Sequence, residues 1–117
     1  MTIFNQGDIV LVPYPFSDNL GVKKRPAVVI SANWYNVNNS DCILAAITSS
    51  IQMPLNRDSI HIKASEIAQT GLIQESIIRT SKIFTIENHI IIKPIGKLNS
   101  SLRKKVHEKL LDMFNSS

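Results

Sequence analysis

The feature of this 117-residue sequence that most constrains its fold is a series of short segments rich in isoleucine and valine, separated by residues that favour turns. Side chains branched at Cβ pack well on a pleated, half-buried surface. Regular spacing of such segments is typical of β sandwiches and barrels. The predicted strands lie within residues 9–12, 26–31, 42–48, 59–63, 77–85 and 90–95. The sequence therefore predicts a mainly β protein with a strongly bent sheet of five or six strands.

The end of the chain changes from a strand period to a helical one. Apolar residues recur there on a single helical face, namely Leu102, Val106, Leu110 and either Met113 or Phe114. Candidate caps for the first turn are Asn99, Ser100 and Ser101. We expect one domain over residues 1–117, a small SH3-like β-barrel closed or half-closed by this terminal helix.

Composition excludes several kinds of protein. The chain has no apolar run as long as a membrane span and no signal peptide, which predicts a soluble protein. Its one cysteine, Cys42, lies in an apolar strand and is interpreted as a core residue, and a chain without a disulfide fits a reducing, cytoplasmic setting. Thirteen Lys and Arg against nine Asp and Glu favour a polyanionic partner.

Motifs for nucleotide-driven or zinc chemistry are missing. The sequence has no P-loop, no glycine-rich dinucleotide turn, no HExxH pair and no paired CxxC, and its three histidines do not have metal-ligand spacing. We therefore expect neither a metal nor another cofactor.

The clearest candidate site is a run of three cations, Lys23, Lys24 and Arg25, followed directly by Pro26. An arginine held by a rigid neighbour offers a planar fork of donors to a phosphate. A second polar group, Thr48 to Ser50, ends an apolar strand. Taken separately, both have ordinary alternatives: Arg25 could be solvated at a strand end, and the hydroxyl groups could satisfy a turn.

Three segments together change this interpretation. GDIVLVPYPFSD at 7–18, KKRPAVVIS at 23–31 and ILAAITSS at 43–50 resemble, in order and spacing, the MazF/PemK toxin family. GLIQESIIRTSKIFTI at 71–86 and the amphipathic tail are similar to later parts of the same family. The resemblance implies a MazF/CcdB-like barrel, usually a homodimer, that cleaves single-stranded messenger RNA and is silenced by a cognate antitoxin.

The resemblance also implies roles for individual residues. It assigns catalysis to Arg25 and Thr48, and RNA binding to the loop before Arg25. The candidate RNA-binding residues are Phe16, Ser17, Asp18, Asn19, Lys23, Lys24 and Ser49. Among the aromatic residues only Phe16 is expected to stack on a base, whereas Tyr14 and Trp34 are interpreted as core or interface residues. Ala46 stands where the family often has a proline.

The mechanism expected from this assignment uses the RNA itself as nucleophile. The 2′-hydroxyl attacks the neighbouring phosphorus, Arg25 binds the phosphoryl oxygens and exchanges a proton, and Thr48 donates a hydrogen bond. Two alternatives belong to other classes: a toxin of the same fold that poisons DNA gyrase, and a barrel that only binds nucleic acid or protein. The gyrase-directed family ends in Trp-Gly-Ile, whereas this chain ends in MFNSS.

Overall fold

The computed structural model describes residues 2–14 and 23–116, and most of this part of the chain is a curled antiparallel sheet with a C-terminal helix. The strands are β1 Asp8–Tyr14, β2 Lys23–Val29, β3 Asp41–Thr48, β4 Ser59–Ile62, β5 Ser76–Glu87 and β6 Lys93–Lys97. The helices are α1 Asn33–Asn38 and α2 Ser100–Met113, with 3-10 turns at Ala64–Glu66 and Asn88–Ile90. The strand order is β4-β5-β3-β2-β1-β6. The predicted mainly β fold with a terminal helix is confirmed.

Three segments differ from the sequence-based expectation, and the first is residues 23–25, which were expected before the strand and belong to β2. The strand expected over 90–95 is wrong in its position, because Asn88–Ile90 forms a 3-10 turn and β6 runs from Lys93 to Lys97. Ile91 is buried in the core and Ile90 packs against the same residues. The apolar residues at this position are therefore buried although they do not form a strand. The asparagine-rich connection after β2 contains α1, a helix that the sequence did not predict.

The sheet buries apolar side chains on both faces, because successive residues of a strand point to opposite sides. One face packs against α2 and forms the larger cluster, which includes Val28, Ile47, Ile78, Leu102 and Val106. The other face carries a second cluster, which includes Phe4, Val29, Leu44, Ile86 and Ile91. The second cluster covers only part of its face, and the remainder is an open groove.

The start of α2 follows the predicted cap. The Asn99 side chain accepts a hydrogen bond from the Leu102 backbone N–H at 2.8 Å, which satisfies an amide group that the first helical turn leaves unpaired. This helix joins the core through Leu102, whose side chain is completely buried.

We expect Leu102→Ala to lower the free energy of unfolding by about 2–5 kcal/mol, because it removes a buried side chain and leaves a cavity. Urea unfolding followed by circular dichroism measures this change. Leu111→Ala is the matched control, because Leu111 lies on the same helix with 62% of its surface exposed. Its expected effect is within about 0.5 kcal/mol. Equal losses in the two variants would contradict the assigned packing of α2.

No helix within residues 2–14 and 23–116 combines the length and the apolar character needed to cross a membrane.

Candidate active site

Arg25 and Thr48 are brought together by the pairing of β2 with β3. Ala27 lies opposite Ala46, and the recorded pairing stops there, one residue short of Pro26. Proline has no N–H to donate to a ladder. If this antiparallel register is extended by two residues on each strand, Arg25 lies opposite Thr48. The two predicted catalytic residues therefore lie across from each other where β2 and β3 cease to pair.

Two adjoining grooves meet at this pair. The first, which we call the central groove, has a volume of about 500 Å³ and an apolar floor that includes Val12, Ala46, Ile77 and Phe84. The second, which we call the lysine groove, has a volume of about 300 Å³ and includes Lys23, Lys24, Ser49 and Gln74 in its walls. Arg25 and Thr48 line both grooves. They consequently stand on the ridge between the two grooves, within reach of a ligand in either.

An aromatic ring holds the Arg25 guanidinium in place. Its Cζ atom lies 5.0 Å from the ring centroid of Tyr14, which is the distance range of a cation–π contact. Tyr14 lies two residues after Val12 on β1, on the same face of the sheet, and Val12 lies directly opposite Arg25. Among the described residues no carboxylate forms an ion pair with Arg25. The site thus presents an oriented arginine whose charge is available to an anion.

The Thr48 hydroxyl serves the local turn and keeps a proton to donate. Its Oγ1 accepts a hydrogen bond from the Ser50 backbone N–H at 3.1 Å. A threonine hydroxyl has one O–H donor in addition to its lone pairs. The structural role expected of a hydroxyl at a strand end is therefore present, and it leaves the O–H group able to reach a ligand on the ridge.

The predicted RNA-binding residues divide into two groups. Lys23, Lys24 and Ser49 are exposed and line the lysine groove beside Arg25. Four others, Phe16, Ser17, Asp18 and Asn19, lie outside the described residues.

Tyr14 and Trp34, which were interpreted as core or interface residues, do not lie in the core. Tyr14 has 50% of its surface exposed and borders the central groove. Trp34 lies on α1 with 71% exposed. Their exposure makes the core alternative wrong for both residues, and the interface alternative stays a prediction.

Two cations of the central groove were missed by the sequence-based assignment. Arg79 and Lys82 belong to β5 and line the groove together with Arg25. The only signal for them was a pair of cations within a segment of mixed apolar and polar residues. Their common orientation depends on an irregularity of β5 that has no local sequence marker.

A cysteine-based site does not form, since Cys42 is completely buried and belongs to the second core cluster, as predicted. Burial and the nearby Asp41 raise the pKa of its thiol to about 11. The thiolate is the nucleophilic form of cysteine, so this side chain stays protonated and inert near neutral pH. In the described part of the chain no three or more His, Cys, Asp or Glu side chains are grouped to hold a metal ion.

Comparison with known proteins gives one family and a set of similar structures. The family model of PemK-like, MazF-like toxins of type II toxin-antitoxin systems matches residues 5–114. Comparison with curated protein sequences gives no significant match.

Several solved structures share the fold over nearly the whole chain. An endoribonuclease from a mycobacterial species, solved in complex with its cognate antitoxin, is 14% identical, with 97% of each chain covered and a TM-score of 0.77. The MazE-MazF structure from Deinococcus radiodurans is 15% identical, with 99% of this chain and 100% of that chain covered and a TM-score of 0.76. The toxin MazF-mt6 from Mycobacterium tuberculosis is 19% identical, with 92% and 95% covered and a TM-score of 0.72.

At these identities the structural likeness concerns the fold, whereas the family match spans almost the entire sequence. The chain belongs to the family of PemK-like, MazF-like toxins of type II toxin-antitoxin systems.

Proposed function

We propose that this protein is a metal-independent endoribonuclease that cleaves single-stranded RNA at a short sequence, with Arg25 and Thr48 as its catalytic residues. The observation that carries the proposal is the position of this pair on the ridge between two open grooves. A strand lying from one groove to the other passes over both side chains. Family membership and a fold shared with endoribonucleases support the same activity.

The proposed reaction is an internal transfer at phosphorus. The ribose 2′-oxygen attacks the neighbouring phosphorus and loses its proton, the bond from phosphorus to the 5′-oxygen breaks, and that oxygen takes up a proton. The products are a 2′,3′-cyclic phosphate and a 5′-hydroxyl. Negative charge builds on the phosphoryl oxygens in the transition state, and donors already in position there lower the barrier.

Arg25 and Thr48 are suited to that charge in different ways. The guanidinium of Arg25 provides a permanent positive charge and several N–H donors, with its position restricted by Tyr14. Thr48 adds a hydroxyl donor from the neighbouring strand. In the finer part of the proposal, which rests on the family resemblance, the guanidinium gives a proton to the departing 5′-oxygen and regains one from the 2′-hydroxyl, so that its charge is the same before and after the reaction. The proposed electrostatic role is supported by its position beside Thr48.

Single-stranded RNA fits the site better than a duplex. A protein that reads RNA sequence does so on unstacked bases, which need a groove to receive them. The central groove combines an apolar floor with amide side chains, Gln52 and Asn56, that could bond base edges.

The proposed partners follow from the family. We propose that a cognate antitoxin binds this chain and suppresses cleavage, in line with the antitoxin complexes among the similar structures. We also propose that two copies form a homodimer, and that the protein acts in the cytoplasm, where messenger RNA is translated.

The activity is tested by incubating the purified protein in EDTA with a long single-stranded RNA and mapping new 5′ ends by primer extension. We expect cuts at one short recurring sequence, absent from a parallel preparation of Thr48→Ala. Cuts that persist in Thr48→Ala would contradict the role of Thr48, and cuts that persist in Arg25→Ala as well would indicate a contaminating nuclease. An absence of cuts on several unrelated RNAs would contradict the proposal and favour a binding or gyrase-directed role. A gyrase supercoiling assay would then distinguish these two roles.

A further inference from the structure

Strand β5 contains an irregularity beside the proposed active site. Along its pairing with β3, Ala46 lies opposite Arg79, whereas the preceding Ala45 lies opposite Ile83. Three residues of β5, at positions 80–82, are therefore inserted between two adjacent pairs. Bulges of this kind bend a strand and redirect its side chains, and they are frequent next to active sites.

Hydrogen bonds from the bulge to one residue before β4, Asp58, hold the bulge in shape. The backbone N–H and the hydroxyl of Thr80 both donate to the Asp58 carbonyl oxygen, at 3.0 and 2.7 Å. Thr80 is completely buried. The Ser81 hydroxyl donates to the Asp58 carboxylate, and this bond lowers the pKa of that carboxyl group below its usual range. The bulge is accordingly a fixed part of the structure.

The bulge decides where two cations point. In a regular strand, residues three apart face opposite sides of the sheet. Here Arg79 and Lys82 both line the central groove. Together with Arg25 they give this groove three positive charges, and no acidic residue is among its described lining residues.

Neither new cation is tied into a tight ion pair within the described residues. The Arg79 Nε forms a long ion pair with Asp58 Oδ2 at 3.7 Å, which helps to lower the pKa of that carboxyl group, while the same oxygen accepts a hydrogen bond from Ser81. The Arg79 side chain is 31% exposed. Lys82 is exposed and takes part in no ion pair among the described residues.

We propose that Arg79 and Lys82 bind RNA backbone phosphates on one side of the cleaved bond, while Lys23 and Lys24 bind phosphates on its other side. The proposal rests on the endoribonuclease function proposed above and extends it to a track that crosses the Arg25–Thr48 ridge from the central groove to the lysine groove. Cations placed in both grooves match the evenly spaced charges of a nucleic-acid backbone better than they match a protein segment.

The first test measures binding without requiring cleavage. A fluorescent 14-nucleotide oligodeoxyuridylate is titrated with protein at several salt concentrations, because a strand without 2′-hydroxyls retains the phosphates and cannot react by the proposed route. We expect Lys82→Gln to raise Kd roughly five- to tenfold at low salt. The slope of log K against log salt should also fall by about 0.7, the value for one phosphate contact on a single strand.

Two further variants separate charge from structure. Arg79→Gln should change the slope as Lys82→Gln does, whereas Arg79→Lys should keep it. Lys104→Gln, which removes an exposed cation from α2 outside both grooves, is the matched control and should bind like the unaltered protein. If Lys82→Gln leaves both the Kd for the oligonucleotide and the salt slope unchanged, the proposal is overturned. It is also overturned if Lys82→Gln loses antitoxin binding while its oligonucleotide binding stays normal.

The second test assigns the two sides of the track. RNAs that carry the mapped cleavage sequence, with a 2′-deoxy nucleotide at the cleaved position, are shortened from the 5′ end or from the 3′ end. With one truncation, Lys82→Gln should bind the RNA as tightly as the unaltered protein does. With the other truncation, the Lys23→Gln, Lys24→Gln double variant should do so. Loss of both binding deficits with the same truncation would overturn the arrangement.

The outcomes for binding and for cleavage are independent. If the oligonucleotide results hold but no RNA is cut, the endoribonuclease function fails and the phosphate contacts stand. If RNA is cut but Lys82→Gln binds normally, the function stands and the phosphate contacts fail.

Discussion

Replacing Arg25 with alanine is expected to lower the rate constant for RNA cleavage by about 10²- to 10³-fold, the loss typical when one donor to a developing oxyanion is removed. The physical reason is that, in the proposed mechanism, negative charge increases beside Arg25, which has no carboxylate partner among the described residues. Single-turnover cleavage of a fluorescent RNA with excess enzyme measures the effect separately from substrate binding.

Comparison variants identify what the arginine provides. Arg25→Lys retains the charge but loses the planar fork of donors, so its rate should lie between those of the unaltered protein and Arg25→Ala. Lys104→Gln should cleave normally. All of these variants should keep the thermal unfolding midpoint, because the side chains at 25 and 104 are exposed. Cleavage by Arg25→Ala within threefold of the normal rate would rule out its proposed role.

A second large effect is expected from the substrate. Replacing a single 2′-hydroxyl at the cleaved position with hydrogen or with O-methyl should abolish cutting at that position, because the proposed nucleophile is then absent or blocked. Cleavage at unmodified copies of the same sequence in the same RNA should continue, which provides an internal control. Mass spectrometry of the normal products should find a 2′,3′-cyclic phosphate at one new end and a 5′-hydroxyl at the other.

The opposite result is equally informative. Cutting of the 2′-deoxy substrate, or a 5′-phosphate on the product, would show that water or another external nucleophile attacks the phosphorus. The internal transfer mechanism would then be wrong, and Arg25 and Thr48 would act on the phosphate during attack by that external nucleophile.

Local sequence signals explain why the general fold was predictable. Segments rich in isoleucine and valine indicated β3 and β5 within a few residues of their observed ends, since branched side chains favour a pleated surface. The period of Leu102 and Val106 indicated α2, and Asn99 marked its start. These features depend on interactions between near neighbours in the chain. The sequence was less informative about β6 and α1. The apolar run near β6 and the asparagine-rich run at α1 show neither a clear strand period nor a clear helical period.

The sequence by itself determined the residue types of the site and the position of Thr48 at the end of a strand, but not that Lys23, Lys24 and Arg25 belong to β2. Arg25 before Pro26 and Thr48 at the end of an apolar strand were candidates from their local settings, and the resemblance of three segments to one family selected them. Their family resemblance added the catalytic roles, which remain predictions. Cys42 could likewise be placed in the core from its apolar neighbours, and its complete burial confirms this.

Only the tertiary structure decided which of these residues meet. The register of β2 against β3 sets Arg25 across from Thr48, and the pairing of β1 brings Tyr14 against the guanidinium. The bulge that Asp58 stabilises places the side chains of Arg79 and Lys82 in the same groove. Register and bulges arise from packing between segments far apart in the chain, whose joint burial determines the pairing of strands. The individual segments do not carry that information, which is why the cations of β5 became visible only in the folded protein.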